Sequence, residues 1–364
     1  MKIITHSDND GKVSAFWAWY NENYLYRTIA NYIEGEPTPD SIYVCNYTEE
    51  DDTKVENMIL EKVREGEKIY IVDYSIPTRL MDLLIEKDCD IIWIDHHFSS
   101  ISKYDDYPNM DKIHGIRVDG VAACELTFVY LFVMTDHGIR YTTEVNFDEK
   151  MLENVPRFTK LVGDQDVWKF KYGEDTKAFN TYINNLKSIS DATGRLWLYL
   201  IDDYVYCKNL RQFILENITC EVRLDRCIDV GKSMREISTR ISSEYAINNE
   251  MLVSFEGYNC CYIYIPDSGN SEDLNFYLSR GSDEMYKALE NNDIGIVHRK
   301  FGDNYQYSLY SIDPDINCAK IAEKYGGGGH KGAAGFTLKK PLDIKIIHHV
   351  GDLDKDKLYK WNKK

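Results

Sequence analysis

The chain has 364 residues, 43% of them hydrophobic, and a formal net charge of −17 at pH 7. This length predicts two domains, each with enough apolar residues for a core. The acidic balance excludes a protein that follows long duplexes, which needs many Lys or Arg contacts to phosphates, but it permits a short anionic substrate beside bound metal cations.

The sequence also argues against a membrane protein. No apolar stretch approaches the ~20 residues that cross a bilayer, and the first residues lack the apolar region of a signal peptide. We therefore expect a cytoplasmic protein with no membrane partner. The nine cysteines form no C-x-x-C pair, which predicts reduced, mostly buried thiols without chemistry.

In chain order, the first half alternates strand and helix patterns. The strand-like runs are 2–5, 42–45, 68–72 and 91–94, and the helix-like stretches are 12–26, 53–65, 78–87, 122–134 and 147–161. We expect residues 99–119 to be polar and rich in turns. Strands separated by helices predict βαβ units and a parallel sheet.

Metal-capable side chains follow these strands. They are His6, Asp8 and Asp10 after the first strand, Asp73 after the third, Asp95-His96-His97 after the fourth, and Asp164 and Asp166 at the end of a later apolar stretch. Open α/β sheets bind ligands at the carboxyl ends of their strands, so we expect these four segments to meet.

Two divalent cations in one centre need several carboxylates to offset their charge, with one group bridging them. Histidine and Asp without Cys favour Mn, Mg, Fe or Zn, and we expect Mn. Alternatively, a single Asp after a strand is often a helix cap, and His96 and His97 could be a half-buried pair bound to backbone carbonyls. Four independent caps would need neither two histidines nor a spaced Asp pair, so the joint pattern favours the metal site.

The second half begins with a helical pattern over residues 193–247, which includes a long connector such as 220–244. Three strand candidates follow at 260–265, 294–298 and 305–310, with helical segments within 274–291. These patterns predict a smaller α/β domain. Isolated histidines such as His298 are expected to be surface or core residues.

A run of four glycines, 326–329, precedes His330 and Lys331. Glycine lowers the backbone cost of positive φ, and exposed N–H groups can bind a phosphate or carboxylate. A glycine run by itself is more often a flexible loop. This run is short and ends in His-Lys, which favours binding of an anion.

These motifs resemble those of the DHH phosphoesterase family in its two-domain DHH/DHHA1 form, over nearly the whole chain. The matching segments are residues 6–11, Asp73, Asp95-His96-His97, Asp164, and Gly327-Gly328-Gly329-His330 for the GGGH motif of DHHA1. The resemblance implies an α/β fold, in which an N-terminal parallel-sheet DHH domain (1–200) is joined by a helical connector (201–250) to a smaller α/β DHHA1 domain (251–364).

The resemblance also implies a manganese-dependent hydrolase with two divalent metal ions. By motif position, one metal is held by His6 and Asp8, the other by Asp10, His96 and Asp164, and Asp73 bridges them. The implied catalytic residues are His97, which contacts the scissile phosphate, and Asp95 behind it. A water activated by both metals would attack phosphorus in line.

Within the family, the first motif and the length are most similar to the oligoribonucleases called nano-RNases. This similarity implies hydrolysis of short single-stranded oligonucleotides to nucleoside monophosphates, with either polarity open. Alternatives are hydrolysis of cyclic dinucleotides or 3'-phosphoadenosine 5'-phosphate, and a nucleotide-binding module without turnover. The type II pyrophosphatases lack the glycine motif, which disfavours that activity.

The implied substrate contacts are Gly327, Gly328, Gly329 and His330, which would hold the far end of the substrate. Family members often carry an arginine in the strand before the glycine run, where this chain has Tyr310. A tyrosine can stack on a base but cannot clamp a phosphate through two N–H groups. Arg280 or Arg299 could replace that arginine.

Overall fold

The computed structural model describes residues 1–24, 42–134, 147–184, 213–266 and 283–349. The chain divides into two compact units, Met1–Lys232 and Ser233–Lys364. Across the described ranges, no helix combines the length and apolar character that a membrane span requires. The seven cysteines whose pairing the structure describes are all free thiols.

The first unit contains a five-stranded sheet in which every pair of neighbours is parallel. Its strands are β1 (Lys2–His6), β2 (Ile42–Cys45), β3 (Lys68–Val72), β4 (Asp90–Ile94) and β5 (Ile113–His114). The predicted α/β class and parallel sheet are confirmed. The two-residue β5 lies in the stretch for which the sequence predicted turns only.

Helices connect these strands and follow them along the chain. They are α1 (Asn9–Tyr24), α2 (Glu49–Lys62), α3 (Thr78–Glu86), α4 (Phe98–Ile101), α5 (Ala123–Phe128), α6 (Arg157–Asp166), α7 (Glu174–Asn184) and α8 (Phe213–Asn249). Three short 3₁₀ helices occupy Ser102–Tyr104, Met110–Lys112 and Glu149–Asn154, and a π-helix, Val129–Val133, continues α5. The predicted helix over 122–134 is therefore partly π-helical. Residues 193–212 of the predicted helical stretch lie outside the described ranges.

Apolar side chains bury the sheet on both faces. Val72 and Ile94 pack in one core cluster with Trp17, whereas Ile71 and Trp93 point into a second cluster on the other face. Successive residues of a strand point to opposite faces, so a continuous apolar run fills both layers. The sheet is a rigid base for whatever lies at the carboxyl ends of its strands.

The strand order β2-β1-β3-β4-β5 places a topological switch point between β1 and β3. The chain leaves β1 towards β2 on one side, while β3 lies on the other side, and the diverging connections open a crevice there. Gly11 lets α1 start close above β1, because a Cβ at this position would lie 2.4 Å from the carbonyl oxygen of His6. The crevice therefore lies next to the polar residues that follow β1 and β3.

The second unit contains a seven-stranded mixed sheet of order β10-β11-β9-β8-β7-β6-β12. Its elements are β6 (Glu250–Phe255), β7 (Tyr258–Ile265), α9 (Asp283–Leu289), β8 (Ile294–Phe301), β9 (Asn304–Tyr310), α10 (Cys318–Glu323), β10 (Gly328–Gly329), β11 (Ala333–Leu338) and β12 (Lys345–His349). The three predicted strands correspond to β7, β8 and β9. Residues 274–282 of the predicted helical region lie outside the described ranges.

Candidate metal centre

Asp73 lies at the centre of a cluster of acidic and histidine side chains. Its carboxylate oxygens lie 3.8 Å from His6 Nδ1, 3.2 Å from His96 Nε2 and 3.8 Å from His97 Nδ1. The side chain is 1% exposed, and neither oxygen accepts a hydrogen bond from a described residue. A buried carboxylate in this state is unfavourable unless a cation or proton compensates its charge.

The backbone conformation of Asp73 places its carboxylate there. Its N–H still donates to the carbonyl of Ile94 at 2.9 Å, as a continuation of the β3–β4 pairing, but its φ is +53°. A non-glycine residue with positive φ is strained by about 1 kcal/mol or more. Such strain at a buried polar residue is typical of a functional position.

Three groups of candidate ligands contain Asp73, one of them together with Asp95 and His97, and the other two are the candidate metal sites. One of these two sites contains His6 and Asp8, whose Nδ1 and Oδ2 atoms are 2.8 Å apart, and the other contains Asp10 and His96, whose Oδ2 and Nε2 atoms are 3.4 Å apart. Within each group, one donor atom from every residue lies within 4.8 Å of the others. A carboxylate common to two groups has the position of a bridging ligand.

Asp10 is held in place by the start of α5. The N–H groups of Ala123 and Cys124 each donate to one of its carboxylate oxygens at 2.8 Å. Burial and the neighbouring Asp8 nevertheless raise the pKa of Asp10 to about 6. Burial, Asp8 and Asp10 likewise raise the pKa of Asp73 well above its usual value. The carboxylates repel one another, and together with the imidazole nitrogens they form a set of donors that fits divalent cations, which would relieve this repulsion.

Asp95 and His97 form a separate pair beside these ligands. Asp95 is fully buried, and its Oδ1 accepts hydrogen bonds from the N–H groups of His96 and His97 and from His97 Nδ1 at 2.7 Å. Its Oδ2 accepts the hydroxyl of Ser75. Burial opposes ionisation of Asp95, but His97 and these hydrogen bonds hold its pKa below the usual range. Burial lowers the pKa of His97, but Asp95 outweighs it and raises that pKa above 6.5.

The structure gives the two carboxylates of the fourth segment different surroundings. The Asp164 carboxylate accepts hydrogen bonds from the N–H groups of Lys171 (2.7 Å) and Tyr172 (3.1 Å) and from the hydroxyl of Thr176. Asp166 instead lies at the metal cluster, with its Oδ2 3.4 Å from His96 Nε2. Asp164 thus holds the loop that follows α6, and Asp166 is a further candidate ligand beside His96, while the ligand role implied for Asp164 stays a prediction.

Helical geometry explains why Asp164 and Asp166 have different surroundings. Residues two apart on an α-helix point about 200° from one another, so Asp164 and Asp166 at the end of α6 cannot face the same site. Only the orientation of α6 decides which of them faces His96. A helix predicted to continue to residue 166 would separate the two carboxylates, but the sequence pattern predicts a helix that ends at residue 161, five residues before the end of α6.

The glycine run is part of a closely paired hairpin in the second unit. A Cβ on Gly327 would lie 2.1 Å from the carbonyl of Gly335, and one on Gly329, whose φ is +135°, would lie 2.7 Å from the Cα of Ala334. The N–H groups of Gly326 and Gly327 donate to carbonyls of α10 at 3.1 and 3.0 Å. Close strand pairing therefore requires glycine at positions 327 and 329, and the N–H groups of Gly326 and Gly327 already donate to α10.

The other proposed substrate contacts have different surroundings. Tyr310 is 6% exposed and pairs with Ala333 in the sheet, so its side chain is buried. Arg299 is half-buried on β8, and His330 closes the glycine hairpin through its backbone, with its N–H 2.7 Å from the carbonyl of Ala333. Arg280 lies outside the described residues. Among those that the structure describes, Arg299 and His330 keep partly exposed side chains, whereas Tyr310 does not.

No family model matches the chain. An uncharacterized protein of Acanthamoeba polyphaga mimivirus is 24% identical over 362 residues, which cover 95% of this chain and 70% of that protein. Three crystallised or otherwise solved proteins are similar in fold at low scores. An uncharacterized protein from Helicobacter pylori is 15% identical, with 94% of both chains covered and a TM-score of 0.38. An exopolyphosphatase-related protein from Bacteroides fragilis is 16% identical, with 94% of this chain and 88% of that chain covered and a TM-score of 0.45. A pGpG-specific phosphodiesterase from Vibrio cholerae is 14% identical, with 93% of this chain and 92% of that chain covered and a TM-score of 0.35. Since every TM-score is below 0.5, we assign function from the site itself.

Proposed function

We propose that the protein is a DHH-type phosphoesterase that uses two divalent metal ions, with Mn²⁺ as the expected metal, to hydrolyse short oligonucleotides to nucleoside monophosphates. The observation that carries this proposal is the buried Asp73 carboxylate shared by two ligand groups. The ordered DHH motifs support the reaction class, and the net charge of −17 favours a short substrate over a long duplex.

In this proposal, His6 and Asp8 hold one metal, and the second is held by Asp10, His96 and Asp166. Asp73 bridges them. Bound divalent ions supply Lewis-acid stabilisation of phosphoryl oxygens and activation of water. The ring nitrogens and carboxylates already lie at hydrogen-bond to ion-pair distances from one another, so little rearrangement is needed to hold cations.

His97 has a different role from the ligands. Its Nδ1–H donates to Asp95, which fixes both the ring orientation and the protonated nitrogen. Nε2 is then the nitrogen that can face a phosphate. With a raised pKa and a side chain 13% exposed, His97 can present a positive charge to a phosphoryl oxygen or a proton to a leaving oxygen.

A substrate panel tests this proposal. Mn-supplemented protein is incubated with di- to pentanucleotides, a cyclic dinucleotide, 3'-phosphoadenosine 5'-phosphate and pyrophosphate, and the products are identified. We expect the highest kcat/KM on the linear oligonucleotides, with nucleoside monophosphates released. Preference for either small nucleotide would replace the proposed substrate, and no turnover on any of them would refute the enzymatic function.

Asp88 offers a matched control for the central residue. Asp73 and Asp88 have nearly the same backbone conformation, with φ of +53° and +51°, but Asp88 is exposed. Asp73→Ala and Asp88→Ala therefore carry the same backbone strain. We expect only Asp73→Ala to abolish turnover, and equal activity of the two variants would contradict the bridging role.

A further inference from the structure

Tyr47 lies against the candidate metal centre, although no sequence motif includes it. Its ring centroid is 5.5 Å from that of His6 and 5.9 Å from that of His97, which it meets edge to face. On the other side it packs on Tyr74 at 4.3 Å. Tyr47 thus contacts both a candidate metal ligand and the candidate phosphate-contacting histidine.

The backbone at Tyr47 is strained and firmly held. Its φ is +57°, a conformation that bulky aromatic residues rarely adopt. Asp51 fastens the chain on both sides, because its Oδ2 accepts the N–H groups of Asn46 at 2.8 Å and Thr48 at 3.3 Å. Thr48 is the N-cap of α2, and its hydroxyl oxygen accepts a hydrogen bond from the N–H of Asp51. Glycine or asparagine would adopt this turn at lower cost, so the turn itself does not explain a tyrosine.

Packing does not explain the tyrosine either. A ring required for the core would be buried, but Tyr47 is 44% exposed, whereas its neighbour Tyr74 is 1% exposed. Among the described residues, the Tyr47 hydroxyl has one hydrogen bond, which it accepts from the N–H of Ser75 at 3.3 Å. The remaining feature is an exposed aromatic surface beside His97.

We propose that Tyr47 is a specificity-determining residue, whose exposed ring stacks on the nucleobase next to the phosphate bound at the metal centre. Every nucleobase has a flat π-face, so such stacking favours nucleoside phosphates without selecting a sequence. Inorganic phosphate and polyphosphate would gain nothing from the ring. This inference rests on the proposed function, because it takes the phosphate to bind beside His97.

Two substitutions separate the ring from the hydroxyl. Tyr47→Leu removes the aromatic surface, and Tyr47→Phe keeps it while it removes the contact with Ser75. Both variants keep a non-glycine residue at the same positive φ, so they share the same backbone strain. Tyr172→Leu is the matched control, since Tyr172 is 38% exposed and its ring lies beneath Lys171 Nζ rather than against a site histidine.

The readout is binding of AMP and of inorganic phosphate to the Mn-loaded full-length protein by calorimetry, together with KM for a dinucleotide. We expect Tyr47→Leu to weaken AMP binding and raise KM by roughly 5- to 150-fold, the range for loss of one base stack. Phosphate binding should stay the same, and Tyr47→Phe and Tyr172→Leu should match the wild type.

Four results would overturn the inference. Equal weakening of phosphate and AMP by Tyr47→Leu would show that Tyr47 acts through the metal ligands. Equal effects of Tyr47→Leu and Tyr47→Phe would assign the effect to the hydroxyl. Unchanged AMP binding in Tyr47→Leu, or no AMP binding by the wild type, would exclude stacking. AMP binding by a protein that hydrolyses no nucleotide would refute the proposed function and leave Tyr47 in a binding site.

Discussion

Asp164 and Asp166 are two residues apart at the end of α6, and we expect their asparagine variants to lose different properties, stability in one case and metal binding in the other. Asp164 binds the following loop, through Lys171, Tyr172 and Thr176, whereas Asp166 faces His96. Asp164→Asn should therefore lower stability and spare metal binding. Asp166→Asn should weaken metal binding and spare the stability of the metal-free protein.

The magnitudes follow from the contacts that each variant loses. Hydrogen bonds to a charged acceptor contribute about 1.5–3 kcal/mol each. In Asp164→Asn, one oxygen becomes an NH₂ group that faces a backbone N–H or the Thr176 hydroxyl, so at least one such bond is lost and a donor faces a donor. We expect a loss of ~3 kcal/mol in the free energy of unfolding, or roughly 6–12 °C in Tm for a unit of this size.

Asp166→Asn acts on charge instead. Asp166 is one of the carboxylates that raise the pKa of Asp73, so its neutralisation relieves repulsion in the metal-free site. The Tm of the metal-free variant should be unchanged or higher. Loss of outer partners of metal ligands already weakens binding by about 10–100-fold, so loss of a ligand carboxylate should weaken Mn²⁺ by at least this much.

Thermal unfolding in the presence of a chelator and Mn²⁺ titration calorimetry on both variants provide the test. The reasoning is refuted if Asp164→Asn loses Mn²⁺ affinity at unchanged Tm, because Asp164 would then be the ligand that the motif position implied. It is also refuted if the two variants show the same pair of changes. Each variant is the control for the other, since both replace a carboxylate at the C-terminal end of α6 by an amide of the same shape.

Three further predictions follow from the described contacts. His96→Ala should weaken Mn²⁺ binding, whereas His97→Asn should retain metal and lower kcat by ~10²–10⁴-fold, as for loss of a proton-transfer group; equal loss of metal in calorimetry would contradict this division. Gly329→Ala should destabilise the second unit by about 2 kcal/mol or more in urea unfolding, because its φ is +135° and a Cβ would lie 2.7 Å from a backbone atom. Gly328→Ala, where a Cβ meets nothing within 4 Å, should be nearly neutral, and equal losses would show that hindrance is not the cause. Burial lowers the pKa of His298 from 6.5 to about 4, so the unfolded chain takes up the proton first and stability falls as pH drops from 6.5 to about 4, by up to ~1.4 kcal/mol per unit. His298→Phe should show a smaller fall over that window, and an identical pH profile would refute the assignment.

Much of the first unit could be predicted from sequence because its strands are short apolar runs with polar ends. The predicted limits of β2 and β3 match the structure, and β1 and β4 each differ by one residue. The convergence of the side chains after β1, β3 and β4 also followed, since carboxyl ends of parallel strands share one edge. Local pattern and one topological rule sufficed for these features.

Other features depend on partners far away in the sequence. The choice between Asp164 and Asp166 depends on how α6 packs on α7, where Asn180 donates to the carbonyl of Leu161 at 2.8 Å. The glycine run suggested an anion site, but its limits on Cβ volume come from Gly335 and its neighbours on β11. No sequence pattern marks Tyr47, because only the fold brings its ring against His6, at the end of β1, and His97, which follows β4.

Asp73 connects the fold with the proposed chemistry. Its N–H pairs with Ile94 and extends the sheet by one bond, which fixes the residue at the switch point between β1 and β3. Its positive φ then turns the carboxylate out of the strand direction and into the crevice, where both ligand groups reach it. A residue that only ended β3 would adopt a relaxed conformation and face solvent. The strain and the burial are both explained if the carboxylate's partners are cations, because bound metal ions would compensate the charge that the protein's own groups leave uncompensated.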